Sequence, residues 1–138
     1  MKMRRPTVNG TIRNDNMGSG VFGAPRDGRI HEGTDYRMSA VREPVFAPIS
    51  GRMIRKLQVY PDSSEYVGCE IRGDDGVEVK LFYVEPHLYW LRKKIEMGEE
   101  IGVGQDVGKK YGGGMRAHVH MEVRIYGALV DPEKQMEG

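Results

Sequence analysis

The sequence predicts an all-β domain, and three observations carry that prediction. There are 19 glycines and 7 prolines among 138 residues, about one position in five against about one in eight in an average protein, which argues against long helices. Residues Ala117 to Tyr126 alternate, with Val119, Met121, Val123 and Ile125 on one side and His118, His120, Glu122 and Arg124 on the other, the period-2 pattern of a half-buried strand. Asp74-Asp75-Gly76 is a hairpin-type turn leading into Val77–Val84, where Val77, Val79, Leu81 and Tyr83 share a face.

In chain order, residues 1–20 are polar and glycine-rich without a sustained period, and are expected to form a flexible arm ahead of a single domain over 21–138. Pro44 to Ile54 reads as two apolar stubs around an Ala47-Pro48-Ile49-Ser50-Gly51 turn, with Pro48 placed at a turn or edge. Tyr66–Arg72 is the next strand, paired through the turn with Val77–Val84. His87–Met97 has helix-compatible composition but stops at Gly98, so a loop with one helical turn is expected. Lys109 to Gly114 runs into three consecutive glycines and reads as a mobile loop.

Composition excludes several functions. The net charge is +1, so no broad field draws in nucleic acid or an anionic membrane. No apolar run approaches the ~18 residues of a membrane span. Met1-Lys2-Met3-Arg4-Arg5 is a basic start without the apolar stretch of an export signal, so synthesis in the cytoplasm is expected. Cys69 is the only cysteine, so a thiolate zinc cluster is impossible and any metal must use imidazole and carboxylate.

His118 and His120 leave one face of a strand with Cα atoms about 6.5–7 Å apart, a spacing that suits metal ligands and equally suits the wetted side of a half-buried sheet. Glu122 on the same face is placed to accept an imidazole N–H and fix its tautomer. His31 and Asp35 lie four apart, with Gly28 and Gly33 arguing against a helix. His31, Asp35 and His120 together make a three-ligand set that leaves a fourth zinc position for water, with His118 beside the ion. A closed site in which His118 is a fourth ligand is the structural alternative.

The run Phe22-Gly23-Ala24-Pro25-Arg26, then Arg29-x-His31-x-Gly33-x-Asp35, Val45-x-Ala47-Pro48-x-x-Gly51, Gly98-Glu99-x-Ile101, Gly108, His118-x-His120-x-Glu122 and Val130-Asp131-Pro132 resembles the lysostaphin/LytM-type zinc peptidases, in order over residues 22–132. That resemblance implies a compact antiparallel sheet or sandwich core with a groove. It implies zinc held by His31, Asp35 and His120, His118 as a catalytic histidine, and hydrolysis of peptide bonds in bacterial peptidoglycan. The family places a second catalytic histidine in a Tyr-x-His-Leu segment. Here the segment is Tyr83-Val84-Glu85-Pro86-His87-Leu88, which puts Glu85 at that position in one frame and His87 in the other. The Phe82-Tyr83-x-x-Pro86 run is also similar to the family's non-peptidase branch, the leukocyte-derived chemotaxins. A zinc-stabilised recognition or structural module without turnover is therefore the second expectation. Without an export signal, a wall hydrolase would reach its substrate as a phage lysin or as part of a phage tail or other assembly.

Overall fold

The computed structural model describes residues 2–15, 17–112 and 114–136. Four short strands, β1 (Asn14–Asp15), β2 (Gly18–Ser19), β3 (Pro25–Arg26) and β4 (Arg29–Ile30), form two small antiparallel pairs. They are followed by β5 (Thr34–Arg37), β6 (Pro44–Phe46), β7 (Gly51–Tyr60), β8 (Ser63–Arg72), β9 (Val77–Phe82), β10 (Val84–Pro86), β11 (Lys94–Ile95), β12 (Glu100–Gly104), β13 (His118–Ile125) and β14 (Ala128–Val130). The main antiparallel sheet runs β11-β7-β8-β9-β13-β14, with β5 also paired to β13, and a second sheet runs β10-β12-β6. The fold is all-β, as the turn-rich composition predicts.

The core lies where alternation puts it. Val77, Val79 and Leu81 of β9 and Val119, Met121 and Val123 of β13 are buried, and they meet Met53, Ile71, Val45 and Ile101 from the other strands. The Asp74–Gly76 hairpin joins β8 to β9 with Gly76 at φ +83°, a left-handed position that glycine occupies without strain. Helical structure is confined, among the described residues, to 3-10 turns at Leu88–Trp90 and Pro132–Gln135 and to α1 (Val107–Tyr111), which the Asp106 side chain caps. None of these is long and apolar enough to cross a membrane. Where a mobile loop over 109–114 is expected, Lys109–Tyr111 are helical, and Gly113 lies outside the described residues.

Several described residues of the N-terminal segment, expected to be a flexible arm, pack on the domain. Met3 is buried and bridges to Met136, and Ile12 pairs with Tyr36. Arg13 N–H donates to the Asp35 carbonyl at 2.8 Å, and Arg37 N–H donates to Thr11 at 2.7 Å. Residues 11–13 therefore cover the outer edge of β5, whose backbone groups need partners. The contacts come mostly from the main chain, which explains how a segment without apolar periodicity is fixed in place.

Candidate metal centre and groove

Strand register builds the site. β13 has β5 on one side and β9 on the other, so His120 lies opposite both Asp35 and Phe82. Directly opposed residues share a face, and the Asp35 carboxylate consequently reaches the His120 ring, which stacks on Phe82 with centroids 5.3 Å apart. His31 enters from the turn before β5. Its approach depends on Gly33, because a Cβ there would fall on the Met121 carbonyl oxygen and 2.8 Å from His120 Cε1.

Hydrogen bonds on the far side of each ring fix which nitrogen faces inward. His31 Nδ1 is 3.1 Å from the Val21 carbonyl oxygen. A carbonyl only accepts, so Nδ1 carries the proton and Nε2 presents a lone pair. His120 Nε2 is 2.9 Å from Glu122 Oε2, which leaves Nδ1 facing inward, and Glu122 has the tautomer-fixing position expected of it. The three inward atoms are His31 Nε2, His120 Nδ1 and Asp35 Oδ1. Their separations are 3.2 Å between the two nitrogens, 2.8 Å from His120 to Asp35 and 3.3 Å from His31 to Asp35. Ligands about 2.0–2.1 Å from a tetrahedral centre lie about 3.3–3.4 Å apart, so the donor set fits a small divalent cation with modest opening of one edge. His31, Asp35 and His120 form the group of potential ligands among the described residues, and His118 is not part of it.

Without a cation, a proton takes up the charge at this point. Burial alone would lower the His120 pKa, but Asp35 and Glu122 on its two nitrogens push it up to about 9. Burial alone would raise the Asp35 carboxyl, but the hydrogen bond from His120 and the imidazoles gathered around it hold it well below the usual carboxylate range. The other carboxylate oxygen, Oδ2, is 3.2 Å from Arg13 Nε, and Arg13 Nη1 reaches Asp15 at 2.8 Å. Arg13 is 2 % exposed. It orients Asp35 from the N-terminal segment, and sequence reading missed it because an arginine in a polar, glycine-rich stretch carries no signal of burial.

His118 lies beside this cluster, with Nε2 3.7 Å from Asp35 Oδ2. Its Nδ1 is 2.8 Å from the Arg116 carbonyl oxygen, so the proton sits on Nδ1 and Nε2 is free to accept one. Burial lowers its pKa, partly offset by Asp35, and so favours the neutral ring. These side chains line a cavity of about 540 Å³, together with Arg26, Arg29, Tyr83 and Tyr111.

Neither frame of the Tyr83–Leu88 segment places its candidate in this groove. His87 Nε2 binds Glu100 at 2.7 Å and its ring stacks on Tyr89. Glu85 pairs at 3.5 Å with the exposed Arg42. The backbone is the cause: at Tyr83, with φ +67°, the chain leaves the main sheet and β10 joins β12 instead. The side chain retained next to His118 is Tyr83 itself, its ring edge-on with centroids 5.3 Å apart.

No protein-family model matches the chain. Leukocyte cell-derived chemotaxin-2 of Bos taurus is 30% identical over 109 residues, which cover 78% of this chain and 69% of that protein. Among solved structures, the catalytic domain of the antimicrobial peptidase lysostaphin from Staphylococcus simulans superimposes with a TM-score of 0.62 at 20% identity, covering 85% of this chain and 88% of that one. A zinc-containing peptidase from Vibrio cholerae gives a TM-score of 0.63 at 19% identity over 100% of this chain and 40% of that one. The chain spans only about a third to two-fifths of the longer structures it matches. With its ordered motifs, its sheet and its sequence relative in agreement, the chain belongs to the lysostaphin/LytM-type zinc metallopeptidase family and resembles the leukocyte cell-derived chemotaxin branch within it.

Proposed function

We propose that the chain is a zinc-dependent endopeptidase that hydrolyses peptide bonds of bacterial peptidoglycan, acting at the cell wall. The observation that carries the reading is the convergence of three candidate ligand atoms, His31 Nε2, His120 Nδ1 and Asp35 Oδ1, at one point in the wall of an open groove. Those residues would hold the ion, and Val21 and Glu122 would keep the two rings turned toward it. Zinc bound there would polarise a carbonyl and make water more acidic.

The remaining work falls to the chain. His118 Nε2, left free by the Nδ1 bond to the Arg116 carbonyl, is placed to take a proton from the attacking water and pass it to the leaving nitrogen. The Arg116 carbonyl holds the ring in the tautomer this requires. Arg13 Nε donates to Asp35 Oδ2 and orients the carboxylate, and Phe82, stacked on His120, screens one face of that ring from water.

A second reading, a zinc-stabilised recognition module without turnover, is favoured by the departure of His87 and Glu85 from the groove and by the chemotaxin relative. Incubating zinc-loaded protein with purified peptidoglycan, and measuring newly exposed amino groups, separates the two. Release of amines that is lost in His118→Ala supports the peptidase. Absence of release by a protein that retains one zinc supports the module.

A further inference from the structure

The groove contains a phenol that the chemistry above leaves unused. Tyr83 sits in the left-handed region, where a bulky aromatic stays only if its surroundings hold it. Two backbone bonds do so: its N–H donates to the Val67 carbonyl at 2.9 Å and its carbonyl accepts from Gln105 N–H at 2.8 Å. The bend that carries β10 away from the main sheet thus leaves the Tyr83 ring against His118, in the cavity lined by His31, Asp35 and His120.

Its hydroxyl is 2.9 Å from the Tyr60 hydroxyl, which in turn meets the Tyr111 hydroxyl. Three phenols carry three protons, and the two contacts between them use two. One O–H is left for an outside acceptor. Tyr83 and Tyr111, the ends of this row, both line the groove. Tyr111 is 43 % exposed, where water competes for its proton, whereas Tyr83 is half-buried beside His118. A donor aimed at developing charge acts most strongly where water is excluded.

We infer that Tyr83 is a catalytic residue whose hydroxyl donates a hydrogen bond to the scissile carbonyl oxygen as that oxygen gains negative charge. The inference rests on the peptidase reading. Water adds to the carbonyl carbon, the carbon–nitrogen bond breaks, one water proton travels by way of His118 Nε2 to the leaving nitrogen, and the other stays with the new carboxyl group. Tyr83 shares its proton during this step and keeps it afterwards.

The test compares zinc-loaded wild type with Tyr83→Phe, a change that removes one oxygen and retains the ring. Two quantities are measured: kcat and KM on a peptidoglycan-derived peptide, and affinity for a pseudopeptide whose phosphinate replaces the scissile amide. Zinc content and the thermal midpoint confirm that the variant is folded. The expected result is a loss of about 100-fold in kcat with KM nearly unchanged, the size typical of one lost oxyanion donor, and at least tenfold weaker phosphinate binding. Equal kcat and equal phosphinate affinity in the two proteins overturn the role. If wild type cleaves nothing, the peptidase reading fails and the catalytic role of Tyr83 falls with it, an outcome distinct from a wild type that cleaves and a Tyr83→Phe that matches it, which overturns the role alone.

Discussion

Titrating zinc into the metal-free protein should release about one proton per ion at pH 7. His120 Nδ1 is 2.8 Å from Asp35 and Nε2 is 2.9 Å from Glu122, and these two carboxylates push its pKa up to about 9. At pH 7, below that value, the ring carries both protons, and zinc must displace the one on Nδ1. The observed affinity should therefore rise with pH, by about tenfold per unit up to pH 9, which is about 100-fold between pH 6 and pH 8. Calorimetry in two buffers of different ionisation enthalpy counts the protons directly. Glu122→Gln provides the control. With one of the two flanking carboxylates neutralised, the His120 pKa falls, proton release at pH 8 drops below that of the wild type, and zinc binds about 10–100-fold more weakly. An affinity that stays flat from pH 6 to pH 8, or no proton release at pH 7, would refute the assignment of His120 Nδ1 as the metal-facing atom.

Four further outcomes follow from the same geometry. The raised His120 pKa stabilises the metal-free fold below pH 6.5, and that stabilisation should fade as pH rises through 9, by about 3 kcal/mol at most; denaturant midpoints at pH 6 and pH 9.5 test this, and a flat profile contradicts it. Arg13→Leu strips the guanidinium from two buried carboxylates and should cost about 3 kcal/mol, measured by urea unfolding. Gly33→Ala forces its methyl group onto the Met121 carbonyl and the His120 ring, and should weaken zinc binding by about tenfold or more in the same calorimeter. His87→Ala removes an exposed pair with Glu100; zinc affinity and hydrolysis should be unchanged and stability should move by less than about 1 kcal/mol, whereas a large loss of activity would return His87 to the groove.

Much of the architecture was legible because it is written in period-2 alternation. Val119, Met121 and Val123 identify the core face of β13, and the histidines and Glu122 necessarily take the other. His31 and Asp35 were identifiable as candidates, but only the pairing of β5 with β13 brings them to His120. Two residues of the site were not identifiable as such, although Tyr83 was grouped with Val77, Val79 and Leu81 on one face of its strand. Arg13 is held by main-chain bonds at the edge of β5, which depend little on side-chain pattern. Tyr83 is placed by a left-handed backbone angle, and a tyrosine gives no hint of one, as a glycine would. The same bend explains why neither frame for a second histidine succeeds: residues after Tyr83 belong to another sheet.

The pairing of His120 with Asp35 has a consequence for how this centre can be lost. Because successive side chains point to opposite faces, a slip of one residue between β5 and β13 would turn both imidazoles into the apolar interior and expose Val119, Met121 and Val123. Such a slip is opposed by the whole core, with β9 and the N-terminal segment gripping the two strands from outside. Ligand position is thus inherited from the packing of the sheet. Substitutions at His31, Asp35 or His120 can abolish metal binding while the scaffold stands, and a metal-free descendant of this domain would keep an intact groove available for other uses.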